Sequence, residues 1–155
     1  MGKSMKRVAA AIDDAGLKAE IVVLPDSART AADAARACNC DVGQIAKSMI
    51  FEGQDSGALK LLIVSGAHDV DLSRAAELFG EPLQRADANR VRKETGFAIG
   101  GVAPIGHLTP SETWFDAALL RYDVIWGAAG APHAVFSVAP ADLLSATGAT
   151  LFQLD

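Results

Sequence analysis

The stretch Gly96-Phe97-Ala98-Ile99-Gly100-Gly101-Val102-Ala103-Pro104-Ile105-Gly106-His107 limits the fold more than any other part of the chain. Its four glycines and Pro104 prevent it from continuing as a helix or as a central strand. It must therefore be an irregular loop with regular elements on both sides. Glycine lets a main chain come close to a ligand, and proline holds its predecessor extended, so such a segment can wall a small pocket with backbone N–H groups. Both phosphate-loop readings are weak: it lacks the lysine and hydroxyl that end a Walker A motif, and its glycines do not follow the dinucleotide spacing between a strand and a long helix. Taken alone, it reads as a structural turn or bulge.

The flanking elements come in an irregular order. Val8, Ala11, Ile12 and Ala15 recur at helical spacing, predicting a helix over 4–15 with Ser4 as its cap and Gly16 at its end. A β-branched run over 19–24, closed by Pro25, predicts a strand. Thr30 and Asp33 form a capping pattern for a second helix to residue 37, and Asp41 caps a short turn through Gln44. Strands over 47–51 and 59–65 flank the turn-prone residues 53–57 at hairpin spacing. Asp71 is placed to cap a helix over 72–79 and Asp87 one over 88–95. Beyond the glycine-rich loop, strands are predicted over 112–115, 124–126, 133–138 and 149–154. Helical turns are predicted over 117–121 and 141–146, and residues 127–132 form a loop. Mixed strands and helices without βαβ alternation indicate an α+β fold. Trp114 is expected to turn inward, and Trp126 and Phe136 to serve as core or pocket wall.

A chain of 155 residues, 50% hydrophobic, is expected to make a single domain spanning 1–155. Its apolar runs are too short to span a bilayer and its start is not a signal peptide, so a cytoplasmic protein is expected. The net charge of −5 argues against a broad nucleic-acid-binding surface, although Arg85, Arg90, Arg92 and Lys93, and Lys3, Lys6 and Arg7, concentrate positive charge locally. Each group also fits a solvated helix face. Cys38 and Cys40 read as reduced thiols, since no second cysteine pair or nearby histidine completes a tetrahedral metal set. His68, Asp69 and Asp71 suggest a metal cluster, but a turn followed by a helix cap accounts for the same residues.

Four features occur in one order: Lys47 opening Lys-Ser-Met-Ile-Phe; Glu94-Thr95-Gly96 running to Gly100-Gly101-Val102-Ala103-Pro104-Ile105-Gly106-His107; Asp116 with Leu119 and Leu120; and Gly130-Ala131-Pro132-His133. Together they resemble the YbaK/prolyl-tRNA synthetase-associated domain family of free-standing or embedded aminoacyl-tRNA deacylases, over nearly the whole chain. The resemblance implies a mixed, strongly curved β-sheet flanked by helices. It also implies trans-editing hydrolysis of the ester that joins a wrong amino acid to a tRNA 3′ end, with no metal or organic cofactor. The implied partners are the acceptor end of aminoacyl-tRNA and an aminoacyl-tRNA synthetase, with no membrane. The sequence sets no oligomeric state.

By the same resemblance, Lys47 matches the functional lysine that holds the terminal nucleotide or its phosphate. Gly100 and Gly101, with Val102, Ala103 and Pro104, form the loop beside the aminoacyl group. Gly130 and His133 belong to a second loop lining the same pocket. Ser48 either touches the nucleotide or alternates into the sheet. His107 is either a general base or the group that closes the loop on a backbone carbonyl. An aminoacyl ester is already activated, so positioning and oxyanion stabilisation by an ammonium and backbone N–H groups suffice, with a tRNA ribose hydroxyl orienting the water. The substrate would be a small amino acid, Ala, Ser, Thr or Cys; the Gly-Ala-Pro-His loop departs from the cysteinyl branch and makes cysteine the least comfortable. The alternative is a non-catalytic module that binds a tRNA 3′ end or an aminoacyl-adenylate-like ligand.

Overall fold

Strand β3 (Leu59–Ser65) is buried along its whole length, and the rest of the chain is layered around it. Leu61 and Ile63 face one core with Val8, Ile12, Phe115, Phe136 and Leu143. Leu62 and Val64 face another with Phe51, Phe79 and Phe152. A strand covered on both faces reads as a near-continuous apolar run, here Leu61 to Val64, with the buried polar residues Lys60 and Ser65 towards its ends. The computed structural model describes residues 2–28 and 30–154.

Among the described residues five α-helices flank the sheet: α1 (Lys3–Asp14), α2 (Ala31–Cys38), α3 (Ala75–Phe79), α4 (Ala88–Thr95) and α5 (Pro140–Thr147). The other strands are β1 (Ile21–Val23), β2 (Ile45–Gly53), β4 (Leu83–Arg85), β5 (Glu112–Asp116), β6 (Ile125–Ala128), β7 (Ala134–Val138) and β8 (Thr150–Phe152). The sheet is mixed, in the order β1-β7-β6-β2-β3-β5-β8, and β4 also pairs with β2. The α+β reading of the sequence is therefore met. Among the described residues no helix is long and apolar enough to cross a membrane.

The edge of β2 away from β3 carries two partners in succession. Parallel β6 takes Ile45 and Ala46, and antiparallel β4 takes Phe51 to Gly53. Among the described residues, 47–50 have no strand partner on that edge, a gap of roughly 13 Å at ~3.3 Å per residue. Lys47 and Ser48 lie in this gap.

Local signals fall where the sequence puts them. Thr30 accepts from the Asp33 N–H and Asp87 from the Arg90 N–H; Asp71 and Asp116 cap the 3₁₀ turns Leu72–Arg74 and Ala117–Arg121. Four details differ. Ser4 does not cap α1: the N-cap is Gly2, and the Ser4 hydroxyl sits 3.4 Å from the Gly96 carbonyl. Strand β4 was not anticipated, because three residues ending in two exposed polar ones carry no strand pattern. Strand β6 runs on to Ala128, into residues assigned to a loop, because Gly127 and Ala128 pair with Phe136 and Val135. Trp114 is only half-buried, edge-on to Phe79, with its indole N–H donating to Glu112.

Candidate functional site

The gap in the β2 edge opens into a cavity of about 260 Å³. Lys47, Ser48, Gly100 and Val102 line it, and the second loop reaches it through Ala131 and Pro132. Its other walls are largely small or flat: Ala28, Ala31 and Ala34 around α2, Ala128 and Ala134 on the strands, and Trp126. Among the described residues this lining contains no carboxylate and no imidazole.

The Lys47 ammonium donates to the His68 carbonyl at 2.5 Å and lies 3.8 Å from the Asp69 carboxylate. Asp69 is fully exposed, so that ion pair is weak. An ammonium has three N–H groups, and the carbonyl occupies one. The carbonyl is itself held in place: the His68 N–H donates to Ser65 O, and Nδ1 of its ring lies 2.7 Å from Oδ2 of the buried Asp116. Asp71, in contrast, accepts from the backbone N–H and the hydroxyl of Ser73, while His68 pairs with the distant Asp116. Among the described residues no three His, Cys, Asp or Glu side chains cluster as a metal would require. Burial, and Cys40 beside it, push the Cys38 thiol up to about 11.

The glycine-rich loop is held at both ends by one residue. Arg7 donates from Nε to Gly106 O and from Nη2 to Gly96 O, both at 2.7 Å, and its guanidinium lies 4.6 Å from the centre of the Phe97 ring. The sequence placed Arg7 in a basic surface patch; the structure uses it as an internal clamp. Gly100, at φ +96°, reaches the cavity, but Gly101 is buried behind it with its N–H donating to Ala98 O. The Gly101 amide is therefore engaged within the loop itself. Ala103 is buried in the core, and its carbonyl accepts from His107 Nε2 at 2.6 Å. Of the two readings of His107, the loop-closing one fits this geometry. Burial, with Arg7 nearby, lowers the His107 pKa despite the hydrogen bond to Ala103. Pro104 and His107 line a different depression, beside α1 and α5.

His133 is exposed and does not line the Lys47 cavity. It faces a neighbouring depression formed by Gly2 to Met5, Ile21, Val23 and Gly130, which shares Ala131 with the first. Gly130, at φ +92°, packs so tightly on α1 that a Cβ there would lie 2.8 Å from the Ser4 carbonyl carbon.

A model of the aminoacyl-tRNA editing domain matches residues 25–146. The chain belongs to that family. A proline–tRNA ligase of Thermosipho africanus (strain TCF52B) is 30% identical over 95 residues, which span 61% of this chain but 17% of the ligase. YwhH of Bacillus subtilis (strain 168), an uncharacterised protein, is 27% identical over 124 residues, 80% of this chain and 78% of its own. A solved structure of a candidate trans-editing enzyme for prolyl-tRNA synthetase is 44% identical, with a TM-score of 0.89 over 97% of this chain and 96% of the other.

The editing domain thus brings four of the residues singled out in its sequence, Lys47, Ser48, Gly100 and Val102, into one cavity. Gly101, Ala103, Pro104, His107, Gly130 and His133 stand behind or beside it. Sequence reasoning missed the alanines of α2 and β6 as cavity walls. A small residue at a cavity wall looks, in sequence, like a small residue at a helix contact, so the capping pattern of Thr30 and the alanine-rich run after it marked a helix and not a cavity wall.

Proposed function

We propose that this editing domain hydrolyses the ester between a small amino acid and the 3′ end of a mischarged tRNA, acting as a free-standing deacylase. The observation that supports this most directly is the small, alanine-walled cavity with an ammonium and a hydroxyl on one side. Alanine, serine or threonine suits that volume better than a larger side chain. A size-limited second site is useful because one methylene gives a synthetase only about 1–3 kcal/mol of discrimination.

Lys47, with two N–H groups remaining after its bond to His68, supplies positive charge where the ester oxygen becomes an oxyanion. Water is oriented by the substrate's own ribose hydroxyl. That role is consistent with a lining that offers no carboxylate or imidazole among the described residues to act as a general base. The same lack favours the second reading, a non-catalytic module that holds an aminoacylated 3′ end.

A panel of tRNAs mischarged with several amino acids separates the two. We expect turnover of at least one small aminoacyl ester and, for Lys47→Ala, a rate about a hundredfold lower, with an unchanged circular dichroism spectrum. Full activity in Lys47→Ala would remove the lysine from the mechanism. Tight binding of an uncleavable aminoacyl-adenosine, with no turnover across the panel, would establish the binding module instead.

A further inference from the structure

The depression beside α1 and α5, about 380 Å³ in volume, gathers negative charge without a counter-charge. Asp14 in the last turn of α1, and Ala146 and Thr147 in the last turn of α5, line it, so a carboxylate and two helix C-termini converge there. Neither helix has a basic residue in its last turn, and among the described residues no Lys or Arg lines the depression. A carboxylate at a helix C-terminus stands against the helix dipole, an arrangement that a cation relieves. Asp14 makes no ion pair or hydrogen bond among the described residues.

A second observation is independent of charge. His107 lines the same depression, and its Nδ1 is buried with no hydrogen-bond partner among the described residues. Buried polar atoms are nearly always paired, so an orphaned one calls for an explanation. Nε2 of the ring faces the Ala103 carbonyl, which can only accept, so Nε2 carries the proton. Burial lowers the pKa of the ring, which leaves it neutral at pH 7 with Nδ1 as an unpartnered acceptor.

We propose that this depression is a second ligand site, taking a short primary alkylammonium whose N–H groups are accepted by the Asp14 carboxylate and by Nδ1 of His107. Its chain would lie along Ala11, Leu61, Pro104 and Ala146. A primary ammonium brings both things the depression lacks, a positive charge and hydrogen-bond donors. A bare metal ion suits it less, because the apolar wall would face a hydration shell and, among the described residues, no three His, Cys, Asp or Glu side chains cluster. The site also touches the acyl cavity. Pro104 packs against Gly127, where an added Cβ would lie 3.3 Å from Pro104 Cγ, and Gly127 lines that cavity. A bound amine therefore braces a wall that the two sites share.

The test uses the purified protein and n-butylammonium, with n-butanol and tetramethylammonium as controls, read by calorimetry and by nitrogen NMR of the imidazoles and the backbone. n-Butylammonium should shift the Nδ1 signal of His107 and the amide signal of Gly127. n-Butanol, which lacks the charge, and tetramethylammonium, which lacks the donors, should bind more weakly and leave Nδ1 unmoved. Asp14→Asn should weaken binding about fivefold, as suits a partly solvated ion pair, and leave thermal stability equal or higher because it removes a charge that opposes the helix dipole. Asp55→Asn, which removes an exposed carboxylate outside the depression, should change nothing. Ala146→Leu, which narrows the depression, should abolish binding. An unmoved Nδ1 signal, equal shifts with tetramethylammonium, or equal losses in Asp14→Asn and Asp55→Asn would each overturn the site; an unmoved Gly127 amide would overturn its link to the acyl cavity. No readout needs turnover, so a failed deacylation panel leaves this site standing, and a failure here leaves the editing reading standing.

Discussion

The carboxylate of Asp116, wholly buried, lies 2.7 Å from Nδ1 of His68, 48 residues earlier in the chain. The same carboxylate accepts from the backbone N–H groups of Ser65 and Ala118, so three donors balance it where, among the described residues, no Lys or Arg does. One consequence reaches the site, because the residue whose ring it fixes also provides the carbonyl that holds the Lys47 ammonium. Asp116→Asn replaces one acceptor by a donor facing donors and should destabilise the fold by about 1–3 kcal/mol in urea denaturation. Freed from an anchored His68, Lys47 should also react faster with an amine-acylating reagent, measured by peptide mass spectrometry. Unchanged labelling would confine Asp116 to stability alone.

Arg7 ties the two ends of the glycine-rich loop through Gly96 and Gly106. Arg7→Met keeps much of the apolar stem but loses two charge-assisted hydrogen bonds and the contact with Phe97. The expected loss is about 2–4 kcal/mol, reckoned from such bonds, together with faster hydrogen exchange of the loop amides. Lys6→Met, one residue earlier on an exposed part of the helix, should change neither.

Acid sensitivity should come from a group remote from the cavity. Lys60, 5% exposed, lies 3.4 Å from Glu81 and 2.5 Å from Glu112. Backbone and hydroxyl hydrogen bonds from Ser56 lower Glu81 from 4.5 to about 2, and hydrogen bonds from Lys60 and Trp114 lower Glu112. Depressed carboxylates bind protons more readily in the unfolded chain, so their stabilisation is complete above pH 4.5 and fades as pH falls towards 2. His107, lowered below 6.5 by burial, acts in the same direction from a higher starting point: the unfolded chain takes up its proton first as pH drops through 6.5. Stability by urea titration should therefore decline in two stages on acidification. His107→Gln should flatten the first and leave the second.

Much of the chain was legible without a structure because its signals are local. A cap such as Thr30 or Asp87 bonds an N–H three residues on, and Asn39 ends α2 in a left-handed conformation, so these elements follow from neighbouring residues alone. The motif carrying the family resemblance was legible for a different reason: its residues keep fixed types and order whatever separates them in space.

What the sequence by itself determined is most of the elements, though not β4, the mixed α+β class and the loop that no helix or strand can absorb. Only the tertiary structure decided what that loop does. Its amide at Gly101 bonds within the loop, its ends are fastened by Arg7 of the first helix, and its Gly100 lines the same cavity as Ser48 at the break in the β2 edge. Strand order and long-range hydrogen bonds depend on which surfaces bury each other. That is a property of the packed whole, and residues such as Arg7 and Asp116 show nothing of it in their immediate neighbours.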